Sequence, residues 1–205
     1  MRRGVFLLPD ARTSAAVTSI TGCLRAQFGV VSAGRFPPHV TLAGSLPLVV
    51  GEADLVAAVR QVAERHGPIL ITNAGPKLLW GSVLAFDVHT VAGDQANVAL
   101  VDLAADVADT VRPLLRPTQQ LTADLHARDD WHGHISLASH ELIDRPELLD
   151  EVDRFVRELD AAYPDHFTAT RLAVYRFHHR DWTTDWWTDF EWEFVCSSTL
   201  GTRAR

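Results

Sequence analysis

A mixed helix-and-strand fold built from two related lobes is predicted by three features of this sequence. The first is a pair of short strand-like runs, Phe36-Pro37-Pro38-His39-Val40-Thr41-Leu42 and Gly133-His134-Ile135-Ser136-Leu137-Ala138-Ser139. Side chains in an extended strand alternate between faces, so His39 and Thr41 share one face while Val40 and Leu42 share the other. His134 and Ser136, against Ile135 and Leu137, repeat that division. The second feature is the order of elements downstream of each run: a helical pattern, then two strand patterns. The third is spacing, because the helix near Glu52 comes after His39 at about the distance at which Pro146 and Glu147 come after His134. Self-similarity on this scale marks a duplicated unit. The 205 residues are therefore read as one domain of two related lobes, with motif-bearing halves at about 32–94 and 117–200.

Arg3–Leu8 reads as an N-terminal strand. A helix follows from about Ser14 to Phe28, with Ala16, Val17, Ile20, Leu24 and Phe28 at helical spacing and Gly29 as its stop. After the first motif strand, Leu55, Val56, Val59 and Val62 predict a helix over Glu52–His66, closed by Gly67. Strands are expected near Ile69–Thr72 and Ser82–Val88. A third helix is expected from Gln95 to Leu115, N-capped by Asp94, with Leu100, Val101, Ala104, Ala108 and Val111 as its buried stripe. A polar stretch, Pro117–Asp130, leads to the second motif. Leu148, Leu149, Val152, Phe155, Val156 and Leu159 then predict a helix, and strands are expected near Thr168–Phe177 and Phe190–Cys196.

Composition narrows the function. With 47% hydrophobic and 22% charged residues the chain can bury a core, which excludes disorder. No window approaches the roughly 18 uncharged apolar residues of a membrane span, and Met1–Leu8 is short for a secretory leader, so no membrane association and a cytoplasmic location are expected. Cys23 and Cys196 are too few for a disulfide framework and are expected to be buried apolar residues. A net charge of −7 argues against a protein that coats long DNA or RNA, but is compatible with a short phosphorylated ligand.

A third H-x-[S/T], His166-Phe167-Thr168, also occurs. It follows Tyr163-Pro164-Asp165 directly after a helix and has no counterpart in the first half, so position in the repeat selects His39 and His134. Those two motifs resemble the paired H-x-[T/S] signatures of the two-histidine (2H) phosphoesterase superfamily, which includes 2′-5′ RNA ligase-like proteins and 2′,3′-cyclic nucleotide phosphodiesterases. Ser136 stands where threonine is common, and Trp131-His132-Gly133 replaces a basic, proline-containing lead-in. The resemblance implies a bilobal, pseudo-two-fold α+β fold in which two antiparallel sheets face each other across a central cleft, with helices outside.

It also implies a chemistry. Phosphodiester transfer without a metal needs a base, an acid and donors for the nonbridging oxygens. His39 and His134 would supply the first two, Thr41 and Ser136 the third, on a small nucleotide or an RNA end as in RNA processing. No cofactor is implied, and a monomer is expected. Arg35 is a candidate for phosphate, and Trp131, Tyr175 and Phe177 for stacking a base. The four tryptophans Trp182, Trp186, Trp187 and Trp192 form either a lid or core. Two rival readings are a metal-dependent hydrolase, using His132 and His134 with His178, His179 and Asp181, and a noncatalytic nucleotide- or RNA-end-binding module.

Overall fold

Arg2–Leu8 (β1), whose residues Gly4–Leu7 are buried in succession, forms the centre of the molecule. In the computed structural model, which describes residues 1–91, 94–116, 125–159, 161–179, 187–189 and 191–201, β1 pairs antiparallel on both sides. One neighbour is Val40–Leu46 (β2), the other Arg171–His178 (β10), and Glu191–Thr199 (β11) completes a four-stranded sheet in the order β11-β10-β1-β2. A three-stranded antiparallel sheet joins Pro76–Leu79 (β4), Val83–Asp87 (β5) and His134–Ala138 (β8). Ile69–Thr72 (β3) pairs with His166–Ala169 (β9), and Thr90–Val91 (β6) with Gln95–Ala96 (β7).

The protein is thus α+β with antiparallel sheets, but the sheets do not follow the two halves of the sequence. The sheet of the first motif recruits β10 and β11 from the C-terminal part, while the sheet of the second recruits β4 and β5 from the N-terminal part. β1 supplies the reason: its two edges take β2 from one half and β10 from the other.

Ala11–Phe28 (α1) starts three residues earlier than periodicity predicts, because the Asp10 carboxylate accepts the Thr13 N–H at 2.8 Å and caps it. It ends at Gly29 with φ 69°, as expected. Glu52–Arg65 (α2) matches its pattern. Val98–Val111 (α3) begins three residues later than predicted: Gln95 and Ala96 are spent on the small hairpin, Asp94 occupies its turn at φ 58°, and Asn97 is the cap. His140–Asp144 (α4) and β4 were not foreseen; both are four- or five-residue segments too short for a periodic signal. Leu149–Glu158 (α5) is preceded by a single 3₁₀ turn at Pro146–Leu148. The expected strand Thr168–Phe177 is two strands, β9 and β10, in different sheets.

α2 packs on β10 and β11 and α3 on β2, while α1 packs on β8 and α5 on β4. A main apolar core results, with Val5, Leu7, Leu42, Leu55, Val59, Leu100, Ile135, Leu137 and Val174 almost wholly buried, beside a smaller cluster of Phe6, Phe36, Ala173, Tyr175 and Phe177. Cys23 and Cys196 are free thiols and only half-buried, contrary to expectation. No helix among the described residues is long and apolar enough to cross a membrane.

Asn97 fastens α3 to this scaffold: its Oδ1 accepts the Leu100 N–H, and its Nδ2 donates to the Leu70 carbonyl of β3 at 2.9 Å. Asn97→Ala removes both bonds from a buried position and should lower the unfolding free energy by about 1–3 kcal/mol in a urea titration. Asn97→Ser, which retains a capping oxygen but cannot span to β3, should fall between the two.

Candidate active site

The two motif histidines are held in the same way. His39 Nδ1 donates to the carbonyl of Pro37 at 2.8 Å, and His134 Nδ1 donates to the carbonyl of His132 at 3.0 Å. A carbonyl only accepts, so Nδ1 carries the hydrogen in both rings and the exchangeable lone pair lies on Nε2. Each ring is half-buried, as are Thr41 and Ser136, whereas Val40, Leu42, Ile135 and Leu137 are buried. That is the alternation the sequence predicts, although His39 lies one residue before β2 begins. Pro37 and Pro38 have no N–H to pair with a neighbouring strand, so regular pairing starts at Val40.

A cavity of about 500 Å³ opens between β2 and β8. Thr41 and Leu42 from the first motif line it together with His134 from the second, along with Trp80, His126, Asp130, Trp131 and His132. Trp131 is 6% exposed and donates its indole N–H to the Thr41 carbonyl at 3.0 Å, tying the lead-in of one motif to the backbone of the other. Packing against this indole also accounts for Gly133: a Cβ there would lie 2.9 Å from the Trp131 ring and 3.2 Å from Leu100. Glycine at the end of the lead-in is therefore what the buried tryptophan requires.

Around His134 the environment is polar. Asp87, 1% exposed at the end of β5, accepts from His132 Nε2 at 3.1 Å, from Lys77 Nζ at 2.9 Å and from the His89 amide at 3.1 Å. Burial alone would push its carboxyl up, but the hydrogen bonds from His132, Lys77 and His89 outweigh it and hold the group well below the usual carboxylate range. The His89 ring stacks on His132 at 4.4 Å and accepts the Gly133 amide at Nδ1, and burial followed by the nearby His132 pushes its pKa down. Asp87 thus fixes the His132 segment whose carbonyl holds His134.

Around His39 the environment is aromatic. Phe6 and Phe36 meet its ring edge-to-face at 4.7 and 4.6 Å. Gly4 makes room for this arrangement, since a Cβ would fall 2.4 Å from the Phe6 ring. Tyr175 and Phe177, expected to offer faces to a base, are instead 5% and 8% exposed and pack around Phe36. Arg35, expected at phosphate, is exposed on a 3₁₀ turn, and its carbonyl accepts the Trp192 indole N–H at 2.9 Å.

Of the four motif residues, Thr41 and His134 line the cavity directly, while His39 and Ser136 each stand two positions from one of them along their strands. His166 is exposed at the start of β9, in another sheet. The side chains a metal reading would gather are engaged separately: His132 with Asp87, His178 with Glu193 and His179 with Asp189, and Asp181, Trp182 and Trp186 lie outside the described residues. Among the described residues no three His, Cys, Asp or Glu side chains are grouped to hold a metal ion. Sequence reasoning missed Trp80 and Asp87. For Trp80 a signal exists in the turn-like Trp80-Gly81 dipeptide; Asp87 ends a strand pattern and carries none.

Because the folded Asp87 carboxyl is depressed, its contribution to stability is full above the unfolded value near pH ~4, narrows as the pH falls below it, and vanishes only past the folded value. Asp87→Asn should cost about 2 kcal/mol at neutral pH, and the gap from the wild type should close only in strong acid. Denaturant midpoints measured across an acid series check this.

The family model of the 2′-5′ RNA ligase superfamily matches residues 9–181. Among solved structures, TT0787 of Thermus thermophilus superposes with a TM-score of 0.61 at 15% identity, covering 100% of both chains. E. coli LigT complexed with NADP⁺ gives 0.54 at 15% identity over 98% of both. A curated relative, 4-O-methyl-glucuronoyl methylesterase 1 of Wolfiporia cocos (strain MD-104), is 25% identical over 202 aligned residues. The match takes in 87% of this chain, which spans about half (48%) of that relative's length.

Proposed function

The chain belongs to the 2′-5′ RNA ligase superfamily, and from that premise we propose that it is a metal-independent phosphoesterase cutting 2′,3′-cyclic phosphates or 2′-5′ phosphodiesters of nucleotides or RNA ends. The observation that carries this reading is the repeated bond from each histidine Nδ1 to the carbonyl two residues upstream, which turns the same nitrogen, Nε2, to proton exchange in both motifs. On a 2′,3′-cyclic phosphate, one neutral imidazole takes a proton from water as its oxygen bonds to phosphorus. The bond to one ribose oxygen breaks, and the other ring, protonated, gives that oxygen its proton. The product is a phosphomonoester with one freed hydroxyl. Thr41 and Ser136 hydroxyls donate to the nonbridging oxygens, where negative charge builds. The fold's relative E. coli LigT has been crystallised with phosphate and with 3′-AMP, which is in keeping with a phosphate-sized site in this architecture.

Incubation with free 2′,3′-cyclic nucleotides, RNAs ending in a cyclic phosphate, 2′-5′-linked dinucleotides and an ADP-ribose cyclic phosphate identifies the bond cut. His39→Ala and His134→Ala should each slow turnover by about 10²–10⁴, the usual worth of one acid-base role, whereas His166→Ala should leave it near wild type. The rate should be bell-shaped in pH, with both limbs within about two units of 6.5 and belonging to the pair. A flat pH profile with full activity in both histidine variants would assign the hydrolysis to a contaminant and leave a binding module.

Exhaustive chelation gives a separate check. Imidazoles acting directly should keep the rate nearly unchanged, while loss restored by zinc would return the reaction to a metal-activated water.

A further inference from the structure

The turn joining β4 to β5 carries a conformational cost at a conspicuous residue. Ser82 N–H bonds back to the Leu79 carbonyl at 3.1 Å, and the two residues between them have positive φ, 49° at Trp80 and 75° at Gly81. Two left-handed central residues are the φ signature of a type I′ hairpin turn, which favours Asn-Gly. Glycine satisfies the second position. Tryptophan at the first is strained, since a bulky side chain rarely occupies this region.

Burial does not repay that strain. Trp80 is 64% exposed, the most exposed large hydrophobic side chain among the described residues. Its ring lies edge-to-face with His134 at 5.1 Å and with His132 at 6.0 Å, and it lines the same cavity as Thr41 and His134. A strained, exposed aromatic held beside a reacting group is an outlier of the kind that accumulates at ligand sites.

We propose that Trp80 is the platform on which the substrate's base stacks, so that the cavity takes an aromatic ring beside the phosphate rather than a phosphate ester alone. Tyr175 and Phe177 are packed away and Trp131 is buried, so of the tryptophans lining the cavity Trp80 is the exposed one, with the smaller His126 imidazole also exposed on the rim. A π-face contact tolerates any base, so the predicted preference is for nucleotides as a class. This rests on the phosphoesterase reading above.

Calorimetric titration of the intact protein with adenosine 3′-monophosphate and with inorganic phosphate tests it without requiring turnover. The wild type should bind the nucleotide more tightly than phosphate. Trp80→Ala should lower that ratio by roughly fivefold to a hundredfold, the range for losing one base stack, and Trp80→Phe should restore most of it. Trp80→Asn separates binding from packing: it should lower the ratio as alanine does while raising the unfolding temperature, because Asn-Gly relaxes the turn. A residue kept for packing would do the reverse, lowering the unfolding temperature with the ratio unchanged, and that result overturns the proposal. Equal wild-type affinity for nucleotide and phosphate, with cyclic phosphates still hydrolysed, overturns the stacking platform alone. Binding of neither probe, with no hydrolysis, overturns the phosphoesterase reading and the platform with it.

Discussion

The site depends on two edge strands from different sheets being held together, and the hydrogen bond from the Trp131 indole to the Thr41 carbonyl does this at the point where the chemistry needs it. β2 and β8 do not pair with each other; each hydrogen-bonds inward to its own sheet. An edge strand has backbone groups that must find partners, and here one of them is met by a buried ring belonging to the segment that leads into β8. The bond fixes the first motif relative to the second, and it dictates Gly133, since no side chain fits between Trp131 and Leu100. The short lead-in is therefore a structural fastener that also forms one wall of the cavity.

The two motifs are alike in their backbone and unlike in their surroundings. The carbonyl two residues upstream sets the tautomer of both histidines, but the residue supplying that carbonyl is Pro37 in one case and His132 in the other. Proline needs no support, because its ring fixes the chain. His132 needs an anchor, and the buried Asp87 carboxylate provides it, at a desolvation cost offset by Lys77 and the His89 amide. The first histidine instead sits edge-on to Phe6 and Phe36. The first motif stiffens its histidine by the rigidity of a proline pair and aromatic packing, the second by charge and hydrogen bonds.

How much was legible in the sequence depends on the range of the forces involved. Alternation at Val40–Leu42 and Ile135–Leu137, the stripes of α2 and α3, and the Gly29 stop are local signals, and the strands and helices they announce are present. Starts set by a competing local bond were displaced: Asp10 pulls α1 earlier, and the β6–β7 hairpin pushes α3 later. Strand partners were not legible, because the choice of β10 over a strand of the same half is made by β1, far away in sequence. At the candidate site, repetition singled out the histidine and hydroxyl pairs, of which Thr41 and His134 line the cavity. Asp87 was not, since a strand-terminal aspartate looks solvated until a lysine and a histidine from other segments converge on it. Tyr175 and Phe177 misled because an aromatic residue on a strand reads the same whether its face meets solvent or Phe36.

Interleaving of the strands has a consequence for where such a site can change. The four-stranded and three-stranded sheets each draw on both halves of the chain, so neither half holds either of them complete, and displacing β1 would separate β2 from β10 at once. The histidines and hydroxyls stand on or beside these interlocked strands, where a shift of register would turn every core residue outward. Substrate preference is better altered on segments that the sheets do not lock. The β4–β5 turn is such a segment: its tip is exposed, it reaches the cavity, and the bond from the Ser82 N–H to the Leu79 carbonyl closes it over two residues of positive φ. A strained tryptophan persists there without disturbing the pairing of β4 with β5. On the proposed reading, the scaffold would hold the histidines and hydroxyls in place while the turn, free of the sheets' register, would bear on what the phosphate is attached to.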